Sequence, residues 1–138
     1  MIHPTAEATD VAMSAQSCQQ LLASGRVARI VFVDDGRPAL VVMNYLLDGE
    51  DLLLQTSADT RLAVQTSEGS IHALLEVDSS SAAGRFGWSV IATGTLSRDG
   101  SARPHDLPAP WRQGATGVVL RLTIDELTGR RVDSSPGY

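Results

Sequence analysis

Lysine is absent from this chain of 138 residues: all 11 of its basic side chains are arginines, set against 16 carboxylates for a formal charge of −5. Without a lysine amine there is no internal Schiff base to pyridoxal phosphate or to a carbonyl substrate, and no Walker A lysine. Any anion must be met by arginine, hydroxyls or backbone amides. Asparagine is nearly missing too, Asn44 being the single one. Aromatics are scarce, with Trp, Tyr and Phe present twice each, so the core has to be aliphatic and any aromatic in a pocket stands out. The lone Cys18 excludes an intramolecular disulfide, and the scattered His3, His72 and His105 have no zinc or iron spacing. No apolar run is long enough to span a membrane, and the first residues lack the basic-then-apolar order of a signal peptide. These absences lead us to expect a cytoplasmic protein. A pI near 5.0 argues against nonspecific nucleic-acid binding, which needs a basic face.

What is present suits one domain, since a chain of this size buries about two-thirds of its unfolded surface. Residues 1–12 and 133–138 are small and polar with little periodicity and read as flexible tails around a domain at 13–132. Ser14 can cap a short helix with Met13, Cys18, Leu21 and Leu22 on one side, ended by Gly25 in a left-handed conformation. On that reading Cys18 is a packed small hydrophobe. Strands then follow in quick succession: Val27 to Val33, a turn at Asp34-Asp35-Gly36-Arg37 with positive φ at Gly36, Ala39 to Leu47, a turn at Asp48-Gly49-Glu50-Asp51, and Leu52 to Thr56. Thr60 to Glu68 is helical, with Leu62, Ala63 and Thr66 on one face. Ile71 to Val77 is extended, Asp78 to Phe86 is a loop, and Gly87 to Leu96 is another strand. Arg103 to Pro110 holds three prolines in eight residues and is neither helix nor central strand. Val118 to Ile124 alternates as a half-buried strand does, and Gly129-Arg130-Arg131-Val132 closes the domain. The fold class is therefore mainly β with flanking helices, a small antiparallel barrel with an aliphatic interior and no internal ligand cavity.

The order of several motifs is specific. Val27-Ala28-Arg29-Ile30, Asp34-Asp35-Gly36-Arg37-Pro38, Asn44-Tyr45 with Asp48-Gly49, Thr56 with Thr60-Arg61-Leu62-Ala63, Glu76-Val77-Asp78, Gly87-Trp88-Ser89-Val90 and Thr128-Gly129-Arg130-Arg131 follow one another along residues 14 to 132. In that order they resemble the pyridoxamine 5′-phosphate oxidase-like split-barrel flavoproteins, in particular the short actinobacterial-type members. The resemblance implies a split β-barrel homodimer with an FMN at each of two symmetry-related interface grooves.

It also implies roles. Gln55, Thr56, Ser57, Asp59, Thr60 and Arg61 match the strand-to-helix segment that holds the FMN phosphate with hydroxyls, amides and a basic side chain. The family more often has glycine at the position of Asp59 and lysine at that of Arg61. Read alone, the same segment is an ordinary helix cap, with Asp59 or Thr60 bonding the first amides. Met43, Asn44 and Tyr45 match the strand beside the flavin ring, where backbone groups and the Asn44 amide can meet its polar edge and Tyr45 can cover it; alone, Tyr45 is a half-buried strand aromatic. Val42 replaces the usual proline, and Gln55 stands where arginine is frequent. Trp88 and Ser89 match a segment reaching the cofactor from the other subunit, and alone Trp88 is equally a core residue. Trp111 and Arg112 follow the proline-rich loop and could cover the groove or lie at an interface. Arg130 and Arg131 could face solvent, a carboxylate or a phosphate, and His105 is a candidate substrate contact.

Three readings follow from the resemblance: an FMN-dependent oxidoreductase with an unidentified small substrate and no metal, a reductase using the deazaflavin F420, and a flavin-binding or cofactor-free dimer with a degenerate site. No general base is nominated, because in flavin chemistry the cofactor takes the hydride and the protein supplies orientation.

Overall fold

The computed structural model describes residues 8–25, 27–80, 86–101, 107 and 117–134. The chain order is β1 (Ala8–Ala12), α1 (Ala15–Ser24), β2 (Val27–Asp34), β3 (Arg37–Asp48), β4 (Asp51–Thr56), α2 (Arg61–Thr66), β5 (Ile71–Ser80), β6 (Phe86–Arg98) and β7 (Val118–Ser134). The strands form one antiparallel sheet in the order β1-β7-β4-β3-β2-β5-β6, and a further β7–β6 pairing closes β2 through β7 into a barrel. Closure removes the free edges that an open sheet would present.

The β2–β3 hairpin forms where the sequence places it. Asp35 and Gly36 sit at φ 52 and 74, so a two-residue turn with both centres left-handed joins Asp34 to its register partner Arg37. Leu52 and Leu54 on β4, Ile30 and Phe32 on β2, Leu75 on β5, Val90 and Leu96 on β6, and Leu120 and Leu122 on β7 fill the interior. This packed aliphatic core leaves the outer surface as the place for a ligand. Three charged ties hold the outside. Arg29 Nη1 bonds Glu76 (3.0 Å) and Asp78 (2.6 Å) across β2 and β5, Arg61 bonds Asp34, and Arg121 joins Asp48, Asp51 and Asp99.

Four expectations are revised. Ala8–Ala12, read as tail, pair with β7 as β1, and the pairing reaches Asp133 and Ser134. Gly25 ends α1 but is extended (φ −84, ψ 163), not left-handed. Its requirement is space, because a Cβ there would collide with the Tyr45 hydroxyl and sit 3.2 Å from Val77. Val118–Ile124 and Gly129–Val132 are parts of a single 17-residue strand, β7, which pairs with β4 at one end and β1 at the other. A bulge opposite Thr93 and Gly94 accommodates its irregular middle. Of the loop expected from Asp78 to Phe86, residues 78–80 belong to β5 and Phe86 to β6, while residues 81–85 lie outside the described residues. The helix near residue 60 spans Arg61–Thr66, capped by Thr60, with Leu62, Ala63 and Thr66 buried as expected. Ser14 caps α1 through the Ser17 amide, and Cys18 is fully buried. His105, Trp111 and Arg112, with most of the proline-rich stretch, lie outside the described residues.

Candidate functional site

The β3–β4 ladder runs from Asp48–Asp51 to Tyr45–Leu54, and the next residues on the two strands are Asn44 and Gln55. Strand alternation therefore decides which of the implicated side chains can meet a ligand on the barrel surface. Tyr45 cannot. Its side chain points inward, 2% exposed, and its hydroxyl donates to the Leu22 carbonyl of α1 at 2.6 Å. The tyrosine expected to cover a flavin is a core residue that docks α1 on the barrel. Burial pushes its phenol up to about 12. Met43, two residues earlier, is half-buried and packs against the core as well.

Asn44 lies on the opposite parity. Its Oδ1 is buried and has no hydrogen-bond partner among the described residues. A buried carbonyl oxygen without a donor costs about 1–3 kcal/mol, so such a group marks a place where a donor from outside the described residues belongs. Gln55 is also buried and faces Val119 in the β4–β7 register. Beside it Leu53, Val119 and Leu107 form a small apolar cluster separate from the main core. Leu107 thus packs on the outer face of β4 and β7.

At the far end of β4 the chain turns into α2, and the turn is internally bonded. Thr56 and Thr60 hydroxyls are 2.9 Å apart, and Thr60 Oγ1 donates to the Ser57 carbonyl at 3.0 Å while accepting from the Ala63 amide at 3.2 Å. Ser57 donates to Asp59 at 2.7 Å. The cap is therefore Thr60, and Asp59 is engaged within its own turn. Arg61 does not point into open solvent alone. Its Nε lies 3.1 and 3.2 Å from the two Asp34 carboxylate oxygens and its Nη2 lies 3.1 Å from Oδ1. Gln65 adds a 3.0 Å bond to the same oxygen. The guanidinium, helped by Gln65, holds the Asp34 carboxyl below its ordinary value.

Trp88 and Ser89 stand on β6, paired with Arg131 and Arg130 of β7 and with Ser79 and Asp78 of β5. Trp88 packs against its own core. In the barrel order β6 is separated from β3 by β2 and β5, and from β4 by β7. Met43, Asn44, Gln55, Thr56, Ser57, Thr60 and Arg61 thus occupy one region of a single chain, and Trp88 and Ser89 another. Arg131 is exposed beside Val11 and Trp88 in register. Sequence reasoning missed Asp34 as the partner of Arg61. Its only signal was a second aspartate in a turn that needs one, and nothing linked it to a residue 27 positions later.

A model of the pyridoxamine 5′-phosphate oxidase family matches residues 14–131. The chain belongs to that family. Its barrel is the family's split barrel, as solved structures also show. An FAD-binding protein from Mycobacterium smegmatis is 24% identical, covering 89% of this chain and 98% of its own, with a TM-score of 0.67. An FAD-binding protein from Mesorhizobium loti is 18% identical, covering 93% and 100%, with a TM-score of 0.72. The FAD and heme binding protein from M. smegmatis is 16% identical, covering 92% and 76%, with a TM-score of 0.70. At these identities the likeness is one of fold. No curated protein matches the sequence. Among the described residues no cluster of His, Cys, Asp or Glu could hold a metal ion, and no helix is long and apolar enough to cross a membrane.

Proposed function

We propose that this family member binds FMN on the outer face of β3 and β4, in a groove completed by a second copy of the chain, and acts as a flavin-dependent oxidoreductase on a small substrate. The observation that carries this reading is the buried, unpartnered Oδ1 of Asn44. A flavin's pyrimidine edge offers an imide N–H, the kind of donor that this acceptor lacks among the described residues. At its other pole the cofactor's phosphate would meet Arg61 beside the Asp34 carboxylate. Arg61 has five donors, of which the Asp34 contacts use those on Nε and Nη2, so the Nη1 edge remains for a phosphate.

A second copy is favoured by the outer face of β2 and β3. Val33, Leu40, Val42 and Leu46 are 62, 55, 38 and 39% exposed on that face, a set of exposed apolar side chains of the kind that marks an interface. It would also allow Trp88 and Ser89 of one copy to approach the β3–β4 region of the other, from which β7 on one side and β2 and β5 on the other separate them within one chain. Bound there, the flavin supplies the hydride acceptor, while Asn44, the backbone of β3 and Arg61 orient it and the apolar face excludes water.

The test is direct. The purified protein is expected to be yellow, or to bind FMN with a dissociation constant below about 1 µM, and to sediment as a dimer. Asn44→Ala is expected to weaken FMN and riboflavin alike, by about tenfold, because both carry the ring. Binding of F420 without FMN would shift the assignment to the deazaflavin. Binding of neither, or a monomer in sedimentation, would overturn it.

A further inference from the structure

The Arg61 guanidinium meets a carboxylate of its own chain on the edge best suited to an anion. Nε and Nη2 form the side-on edge of the fork that grips carboxylates and phosphates, and Asp34 occupies it: Nε bonds both carboxylate oxygens at 3.1 and 3.2 Å, and Nη2 makes an ion-pair contact with Oδ1 at 3.1 Å. The contact is held from three sides. The β2–β3 turn fixes Asp34 at the end of β2, Gln65 bonds its Oδ1 from the next turn of α2, and Thr60 caps the helix that carries Arg61. Around it lies an open depression of about 590 Å³ lined by Val33, Asp34, Asp35, Gly36, Arg61 and Gln65. Two aspartates and one arginine leave that lining with a net negative charge, the wrong sign for receiving a phosphate. Asp34 is not needed to make the turn, which depends on the left-handed pair Asp35 and Gly36.

We propose that Asp34 is a built-in competitor for the anion that Arg61 is placed to bind, setting how strongly the protein prefers a phosphorylated flavin over the same ring without phosphate. This rests on the reading of the β3–β4 groove as a flavin site. An incoming phosphate must either displace Asp34 from the fork or accept the single outward nitrogen with a carboxylate close by. Both routes lower affinity at the phosphate end and leave the ring end untouched. Asp34 thereby acts as a specificity determinant.

Titration of FMN and riboflavin by fluorescence, on the full chain and its variants, tests this without any turnover assay. Asp34→Asn keeps the shape and an acceptor for Arg61 while removing the charge. It is expected to tighten FMN about five- to tenfold, leave riboflavin unchanged, and lose most of its effect at high salt. Asp34→Ser, which breaks the fork contact itself, should act in the same direction, with a thermal melt confirming that each variant is folded. In an Arg61→Gln background Asp34→Asn should tighten FMN much less, since only the direct repulsion of the phosphate is then relieved. If folded Asp34→Asn and Asp34→Ser bind FMN over riboflavin no better than the unaltered chain, Asp34 only holds Arg61 in place and the inference is overturned, with the flavin site intact. If neither flavin binds any of these proteins, the site itself is misread and the inference falls with it.

Discussion

Replacing Tyr45 with phenylalanine separates a core role from a cofactor role, because the two lose different things. The ring is buried, and only its hydroxyl has a partner, the Leu22 carbonyl at 2.6 Å. That carbonyl keeps the Gly25 amide at 3.2 Å, so the substitution removes one hydrogen bond without leaving an orphaned acceptor. The expected loss is about 1 kcal/mol, or roughly 3–5 °C in melting temperature for a domain of this size. The pH dependence makes the test sharper. Burial raises the Tyr45 phenol from 10.0 to about 12. A folded-state value above the unfolded one means that the stability tied to the neutral phenol is complete below pH 10 and is lost as pH rises toward 12. At about 1.36 kcal/mol per unit, the loss reaches up to about 2.7 kcal/mol.

Tyr45→Phe carries no such term. The unaltered chain should therefore be more stable by about 1 kcal/mol at pH 8 and less stable above a crossing near pH 11. The raised thiol of buried Cys18 is common to both proteins and cancels. Urea unfolding followed by tryptophan fluorescence, at a series of pH values, measures both curves. An unchanged midpoint at pH 8, combined with weakened FMN binding, would refute the reasoning: the ring would then face the groove and not the core.

Two further substitutions probe the barrel. Gly94→Ala would drive its Cβ into the Thr123 carbonyl at the β6–β7 bulge, backbone that cannot move aside, and should cost about 3 kcal/mol or more in denaturant unfolding; a loss under 1 kcal/mol would mean that the bulge adjusts freely. Glu76 is pushed above its usual value of 4.5 by burial first and then by Asp78, against the pull of Arg29, so the fold favours its protonated form. Stability should fall as pH rises from 4.5 through the raised value. Glu76→Gln should flatten that limb and be no less stable at pH 7, and a marked loss at pH 7 would show that the Arg29 pair outweighs desolvation.

The legible parts of the fold are those fixed by local chemistry. Asp35-Gly36 needs left-handed backbone and produces a tight hairpin, and Thr60 with Leu62, Ala63 and Thr66 gives a capped helix with a buried face. The orientation of Tyr45 was hidden for a physical reason. Leu40, Val42 and Leu46 make the outer face of β3 as apolar as its inner one, so period-two alternation has no contrast and cannot say which side is the core. Continuity of β7 was hidden because Asp125-Glu126 and Thr128-Gly129 look like turn signals, whereas one pair lies at a bulge and Gly129 is buried within the strand. The order of motifs singled out Asn44 and Arg61 as candidates, but neither the buried orphan oxygen nor the Asp34 contact has any local signature.

The missing lysine and the surplus of carboxylates bear jointly on that site. With 16 acidic residues to 11 arginines, three cations of the described barrel surface, Arg29, Arg61 and Arg121, are each held by at least one carboxylate. A lysine in the place of Arg61 would offer one compact ammonium, which Asp34 could cap with a single contact. Arginine spreads its charge over a planar fork with a second edge, so it can hold Asp34 and still present donors outward. The substitution that looks like mere compositional drift therefore changes what the phosphate end can do, because an internal anion and an external one can meet at the same side chain. On the proposed reading, the strength of FMN binding should then be governed by the balance between Asp34 and the phosphate at Arg61 and by the donor that satisfies Asn44, with the ring of Tyr45 taking no part.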